Sequence, residues 1–271
     1  MKFCKILERI SEEKFSPVFL ISVFLSRTSI SLPFTFKRNG VLLKLHPSSV
    51  TLGLWRRKYS FEADKIVIEK IVKENFICFD IGANIGHLSI LMAKKAKNGL
   101  VISIEPSPRI FSYLLDNIQI NKLNNIIPLN FAISEENGIK NFFTFTYADD
   151  QSALVIDKDW KSEKYKVATL RLDELIKILG ISKIDFLKID VEGAELLVLK
   201  SLGKDIDKVK YVWFEFNEDN YQKFNYGGEE IIDFLKNHKF SLYRLNEKNE
   251  FFKIDDHLEN FKSNLLAVKN E

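Results

Sequence analysis

Residues 76–86, Phe76-Ile77-Cys78-Phe79-Asp80-Ile81-Gly82-Ala83-Asn84-Ile85-Gly86, constrain this chain more than any other stretch. An apolar run of strand length ends near an acid, two glycines follow four positions apart, and residues 88–93 continue with helix formers. This pattern predicts a buried parallel strand turning tightly into a helix. In open α/β sheets, ligands bind just beyond such strand ends.

The flanking sequence repeats the alternation. A helix over 63–73 precedes the strand at 76–80, and a helix to about residue 96 follows it. The strand at 100–104 closes on Glu105-Pro106. Ser107 then caps a helix whose first position is Pro108 and whose inward face carries Ile110, Phe111, Leu114, Leu115 and Ile118. A third strand spans 126–131. Segments 139–147 and 166–170 interrupt with β-structure around the loop Asp149-Asp150-Gln151-Ser152. The alternation resumes with a helix at 172–179, a strand at 184–189 closing on Asp190, a helix at 194–202, and a strand at 209–216 that contains Glu215. A helix at 229–237 and strands at 240–245 and 265–268 complete the sheet. The fold class is therefore α/β, a mostly parallel sheet with helices on both faces.

A 46% apolar content over 271 residues supports one large core with an appendage. We divide the chain into an N-terminal helical and β-hairpin cap, residues 1–58, and a main domain, residues 59–271. Two short helices are expected over 1–31. A hairpin is expected from runs 34–37 and 41–45 around Arg38-Asn39-Gly40, since Asn-Gly between apolar runs favours a two-residue turn.

Charge narrows the partners. The net charge of +3 lacks the basic excess of a dedicated nucleic-acid binder, so no nucleic-acid partner is expected. The first 74 residues nevertheless hold 14 Lys/Arg against 7 Asp/Glu, which leaves open a peripheral membrane or protein contact through this basic arm. Cys4 and Cys78 are too few for a disulfide framework, and the four histidines show no metal-ligand spacing. No apolar run is long enough to span a membrane, and Glu8, Glu12 and Glu13 replace the basic start of a signal peptide. A cytoplasmic location is the expectation, with membrane association as the alternative.

The glycine turn is selective about its ligand. A dinucleotide turn needs glycines where this chain has Asn84 and His87, and no P-loop is present. Asp80-x-Gly82-x-x-x-Gly86 with Glu105 ending the next strand instead suits a nucleoside without phosphates. Gly82 and Gly86 allow a tight turn. The helix N-terminus beyond them favours a carboxylate. Asp80 can hold an ammonium, directly or through water, and Glu105 has two oxygens for the hydroxyls of a ribose. Carboxylate, ammonium and ribose together describe S-adenosylmethionine.

With the Ile104-Glu105-Pro106-Ser107 stretch and Leu187-Lys188-Ile189-Asp190-Val191-Glu192-Gly193-Ala194-Glu195, the glycine turn resembles the FkbM family of S-adenosylmethionine-dependent methyltransferases. The resemblance implies a Rossmann-like class I methyltransferase fold of seven strands, the last antiparallel. It also implies O-methylation of a hydroxyl on a sugar, glycolipid or secondary metabolite. Carried over by residue, it assigns Asp80, Gly82, Asn84, Gly86, Glu105 and Pro106 to the cofactor, with Phe131 and Ala132 beside the adenine. Asp190 and Glu192 then face the reacting methyl. Asp190, Glu192 and Glu215 are the candidate general bases, and Ser152 borders the small-molecule or glycan acceptor. No metal is expected, although Asp190, Glu215 and Asn217 are oxygen ligands suited to magnesium. A scaffold that keeps the cofactor without turnover is the other alternative. After the fourth strand, Asp190-Val191-Glu192-Gly193 lacks the Pro-Pro-aromatic pattern of base and amide methylation. His87 reads as a bystander in the first turn of its helix, and Trp213 as core.

Overall fold

The computed structural model describes residue 24 and residues 31–56, 61–144, 152–155, 163–254 and 262–270. The helices expected within 1–31 lie almost wholly outside the described residues, as do Asp149, Asp150 and Gln151.

The first strands among the described residues form a hairpin of β1 (Thr35–Arg38) and β2 (Val41–Lys44), paired antiparallel with Arg38 opposite Val41. Asn39 and Gly40 both take positive φ, 49° and 81°, the two-residue turn that Asn-Gly favours. A helix that the sequence reading did not anticipate follows, α1 (Ser49–Trp55). Its signal was present, since the Ser48 hydroxyl accepts from the Thr51 N–H as an N-cap.

Next come α2 (Glu62–Ile71), β3 (Ile77–Ile81), α3 (His87–Lys95), β4 (Leu100–Ile104), α4 (Pro108–Asn121) and β5 (Ile126–Leu129). Ser107 and Pro108 start α4 as expected, with the Ser107 hydroxyl accepting from Ile110 N. The inward face of α4 is rotated from the expected one. Ile110, Tyr113, Leu114 and Asn117 are buried, whereas Leu115 is 42% exposed.

Three strands then form a separate small sheet: β6 (Ala132–Ile133), β7 (Gly138–Thr144) and β8 (Glu163–Leu170), in the order β6-β8-β7. The second half contains α5 (Leu172–Leu179), β9 (Ile184–Ile189), α6 (Glu195–Lys200), β10 (Val209–Asn217), α7 (Glu218–Tyr221), α8 (Gly228–Asn237), β11 (Phe240–Leu245), β12 (Phe251–Lys253) and β13 (Lys262–Lys269).

The main sheet runs β12-β11-β13-β10-β9-β3-β4-β5. Strands β5, β4, β3, β9 and β10 pair parallel, and the last strand, β13, inserts antiparallel between β10 and β11. The seven expected strands are all present. The eighth, β12, is a three-residue edge strand hairpinned onto β11.

Central β9 is buried along its whole length, as a parallel strand covered on both faces must be. One face packs Phe79, Ile81, Leu187 and Ile189 against α5, α6 and α8. The other packs Cys78, Phe186 and Trp213 with α2, α3 and α4, and Val41, Leu43, Val50 and Leu54 of the N-terminal segment join that same cluster. Asn117 and Asn121 of α4 fasten the hairpin by accepting from Lys44 N (2.9 Å) and Leu42 N (3.1 Å).

Candidate active site

The carboxyl ends of β3, β4, β9 and β10 open onto a cavity of about 580 Å3. That is within the usual range for a small-molecule site.

The turn after β3 forms one wall. Gly82, Asn84 and Gly86 take φ of 79°, 49° and 81°. A Cβ on Gly82 would stand 1.8 Å from the Asp190 carbonyl oxygen, and one on Gly86 would stand 2.2 Å from Leu114 Cδ1. Both glycines therefore let protein approach protein. Asn84 N donates to Glu105 Oε2 (2.9 Å), and Ser107 N donates to Glu105 Oε1 (2.8 Å). Two backbone N–H groups thus fix the Glu105 carboxylate at the end of β4.

Beneath the turn lies a buried charge network. Asp80 and Lys188 are register partners on β3 and β9, with Lys188 Nζ 3.1 Å from Asp80 Oδ1 and 3.3 Å from Asp190 Oδ2. The Ser89 hydroxyl donates to Asp80 Oδ2. Burial alone would lower the Lys188 pKa, but Asp80, Asp190 and Asp64 outweigh it and hold the ammonium above its ordinary value. Asp64 Oδ1 accepts from Trp213 Nε1 (2.8 Å) and Asn264 Nδ2 (2.9 Å). Burial pushes the Asp64 carboxyl up despite these bonds.

Above Lys188 three acids converge. Oxygens of Asp190, Glu192 and Glu215 lie within 4.8 Å of one another, the spacing of a candidate metal cluster. Glu192 has φ 54°, and its Oε2 accepts from Asn220 Nδ2 (2.9 Å). Burial, with the neighbouring Asp190 charge, raises the Glu215 pKa to about 7. The turn carrying Asp190 and Glu192 is tied from below. Val191 N donates to Glu195 Oε1 (3.0 Å), and the Tyr226 hydroxyl donates to the Gly193 carbonyl. Burial raises Glu195 to about 8.

The profile of the methyltransferase FkbM domain matches residues 80–242, more than half of the chain. The chain belongs to the FkbM methyltransferase family. It is a methyltransferase, with S-adenosylmethionine as the donor. Among similar proteins is the hexuronic acid methyltransferase AglP of Haloferax volcanii, 27% identical over 198 residues that cover 72% of this chain and 79% of AglP. The 2-O-methyltransferase NoeI of Sinorhizobium fredii is 20% identical over 216 residues, 74% of this chain and 88% of NoeI. A tRNA(Phe) aminocarboxypropyltransferase of Methanocaldococcus jannaschii is 37% identical over only 93 residues, about a third of each chain.

In this FkbM methyltransferase, Gly82, Asn84, Glu105, Pro106, Ala132, Ser152, Asp190, Glu192 and Glu215 all line the cavity. Three residues expected on the cofactor do not. Asp80 is fully buried, and its carboxylate faces Lys188 and Ser89 rather than the cavity. Gly86 is backed by Leu114. Phe131 packs against the hydrophobic core, while its neighbour Ala132 faces the cavity. The Asn217 side-chain oxygen has no partner among the described residues, and Asn217 is not among the cavity-lining residues. Sequence reasoning passed over Lys188, Asp64, Asn220 and Asn264. Lys188 carried a signal, since a lysine inside a buried strand needs a counter-charge.

The fit to S-adenosylmethionine rests on the donor set. Glu105, fixed at the mouth of β4, offers acceptor oxygens of the kind a diol needs. The lining is strongly acidic, which suits a ligand bearing a sulfonium and an ammonium.

Proposed function

We propose that the protein methylates a hydroxyl oxygen of a sugar-containing acceptor, with Glu215 as general base. The observation carrying this reading is Glu215 itself, a cavity-lining carboxylate whose pKa is raised to about 7 beside Asp190 and Glu192. A base titrating near the working pH combines availability with proton affinity. The activities that AglP and NoeI are named for support a sugar acceptor.

S-adenosylmethionine supplies the electrophilic methyl group when bound. Glu105, Asn84 and Ala132 would hold its nucleoside end, and Asp190 would face its cationic end. Glu215 accepts the proton of the acceptor hydroxyl as the oxygen is alkylated. Glu192, held by Asn220, orients the acceptor. Lys188 holds Asp190 in place, its ammonium 3.3 Å from the carboxylate. A cytoplasmic location belongs to the same reading. Among the described residues no helix is long and apolar enough to cross a membrane.

Incubation with methyl-labelled S-adenosylmethionine and extracted glycans, followed by mass spectrometry, tests the proposal. Label on a sugar oxygen supports it, and Glu215→Gln should reduce that label about 100- to 10,000-fold. Label found only on nitrogen or as a carboxyl ester would contradict it.

A further inference from the structure

Phe61 at the start of α2 and His87 at the start of α3 also line the cavity. Two oddities coincide there. Phe61 takes φ 46°, a left-handed backbone that a bulky aromatic rarely adopts. Such strain persists where the surroundings hold it, and it clusters at ligand sites. His87 is 3% exposed, and neither ring nitrogen has a hydrogen bond of good geometry among the described residues. Its contact to the Arg38 backbone is too poorly aligned to satisfy the ring, and a buried polar ring so weakly held calls for an explanation. The two rings stand 5.6 Å apart at 50°, making one tilted aromatic corner.

We propose that Phe61 and His87 form the acceptor subsite, and that it takes an uncharged glycoside ring. This rests on the methyltransferase reading above and adds where the acceptor sits and what charge it carries. A pyranose presents an apolar C–H face and a rim of hydroxyls. The Phe61 ring takes the face. Burial pushes the His87 pKa down to about 4, so its ring is neutral at physiological pH, with one N–H and one acceptor nitrogen. A hydroxyl, which both donates and accepts, matches either nitrogen.

Charge selects further. Among the described residues Glu62, Asp64, Glu105, Asp190, Glu192 and Glu215 line the cavity against one lysine, Lys188, whose ammonium already sits between Asp80 and Asp190. An acceptor carboxylate or phosphate would meet repulsion, and among the described lining residues no second cation receives it.

The test uses the full chain labelled with 15N-histidine, which gives four ring systems, His87 being identified by His87→Gln. S-adenosylhomocysteine is added to saturation first, and methyl β-glucopyranoside or methyl β-glucuronide second. We expect the His87 ring signals to move on addition of the glucoside to the saturated protein, and the glucuronide to bind more weakly. Phe61→Leu should weaken glucoside binding about fivefold while leaving S-adenosylhomocysteine affinity within about twofold. Phe61→Tyr, which keeps the ring, should bind the glucoside as the parent does. A His87 response already complete with S-adenosylhomocysteine would overturn the proposal and assign the corner to the donor. Glucoside addition without a His87 shift, or tighter binding of the glucuronide, would overturn it too. Failure of S-adenosylhomocysteine to bind would instead reject the underlying reading, and it is seen before any glycoside is added.

Discussion

Lys188 sits among carboxylates on the floor of the cavity, 5% exposed, with Asp80 fully buried beside it. Removing one partner of a buried pair leaves the other charge uncompensated, so Lys188→Met should cost about 3–5 kcal/mol, measured by denaturant unfolding. Glu195 gives a pH-dependent counterpart. Its pKa is raised from 4.5 to about 8, so the folded state holds a proton that the unfolded chain releases. Its contribution is fully present below pH 4.5 and is lost as the pH rises to about 8. Glu195→Gln keeps an oxygen for Val191 N and removes this loss. The variant should gain stability relative to the parent between those pH values, checked by melting temperature against pH. At this scale the sequence was legible in position, since Glu105 follows β4 and lines the cavity as expected. It was illegible where an acid could serve either ligand or protein. Asp80 reads as an ammonium ligand until Lys188, 108 positions later, is known to lie opposite it.

Among the elements, local chemistry was readable and packing was not. The Asn39-Gly40 turn and the Ser107-Pro108 helix start depend on neighbours in sequence, and both formed as expected. The inward face of α4 depends on the hairpin laid across it, so Asn117 is buried by bonds to Lys44 N and the Ile85 carbonyl while Leu115 is left outside. The glycines show the same division. Gly40 and Gly82 have nearly equal φ, 81° and 79°, but a Cβ meets nothing within 4 Å at Gly40 and the Asp190 carbonyl at 1.8 Å at Gly82. Gly40→Ala should cost only the backbone strain of about 1–2 kcal/mol. Gly82→Ala should cost more and should also displace Asp190, lowering S-adenosylhomocysteine affinity. Thermal melts and calorimetry on the two variants check both parts.

Across the whole molecule, the order of the main sheet brings four strand ends to one cavity, and those ends carry Glu105, Asp190 and Glu215. The alternation of the sequence made this sheet legible, because buried parallel strands read as apolar runs. Away from the strand ends, the cavity lining was legible only at Ser152. It comes from segments distant in sequence, Val50 of α1, Phe61 at the start of α2, and Phe142 and Ser152 of the region around β7, none of which carries a motif. The close spacing of Asp190, Glu192 and Glu215 invites a metal ion, but the Lys188 ammonium already lies 3.3 Å from Asp190. Methyl transfer should therefore survive EDTA at full rate, and a loss restored by magnesium would reassign the three acids. The central claim is that this acidic cavity holds the methyl donor through Glu105. Calorimetric titration of S-adenosylhomocysteine into the parent and into Glu105→Gln tests it most directly. The account predicts saturable binding to the parent and affinity at least about tenfold weaker in the folded variant. No binding to the folded parent, or equal affinity in the two proteins, would contradict it.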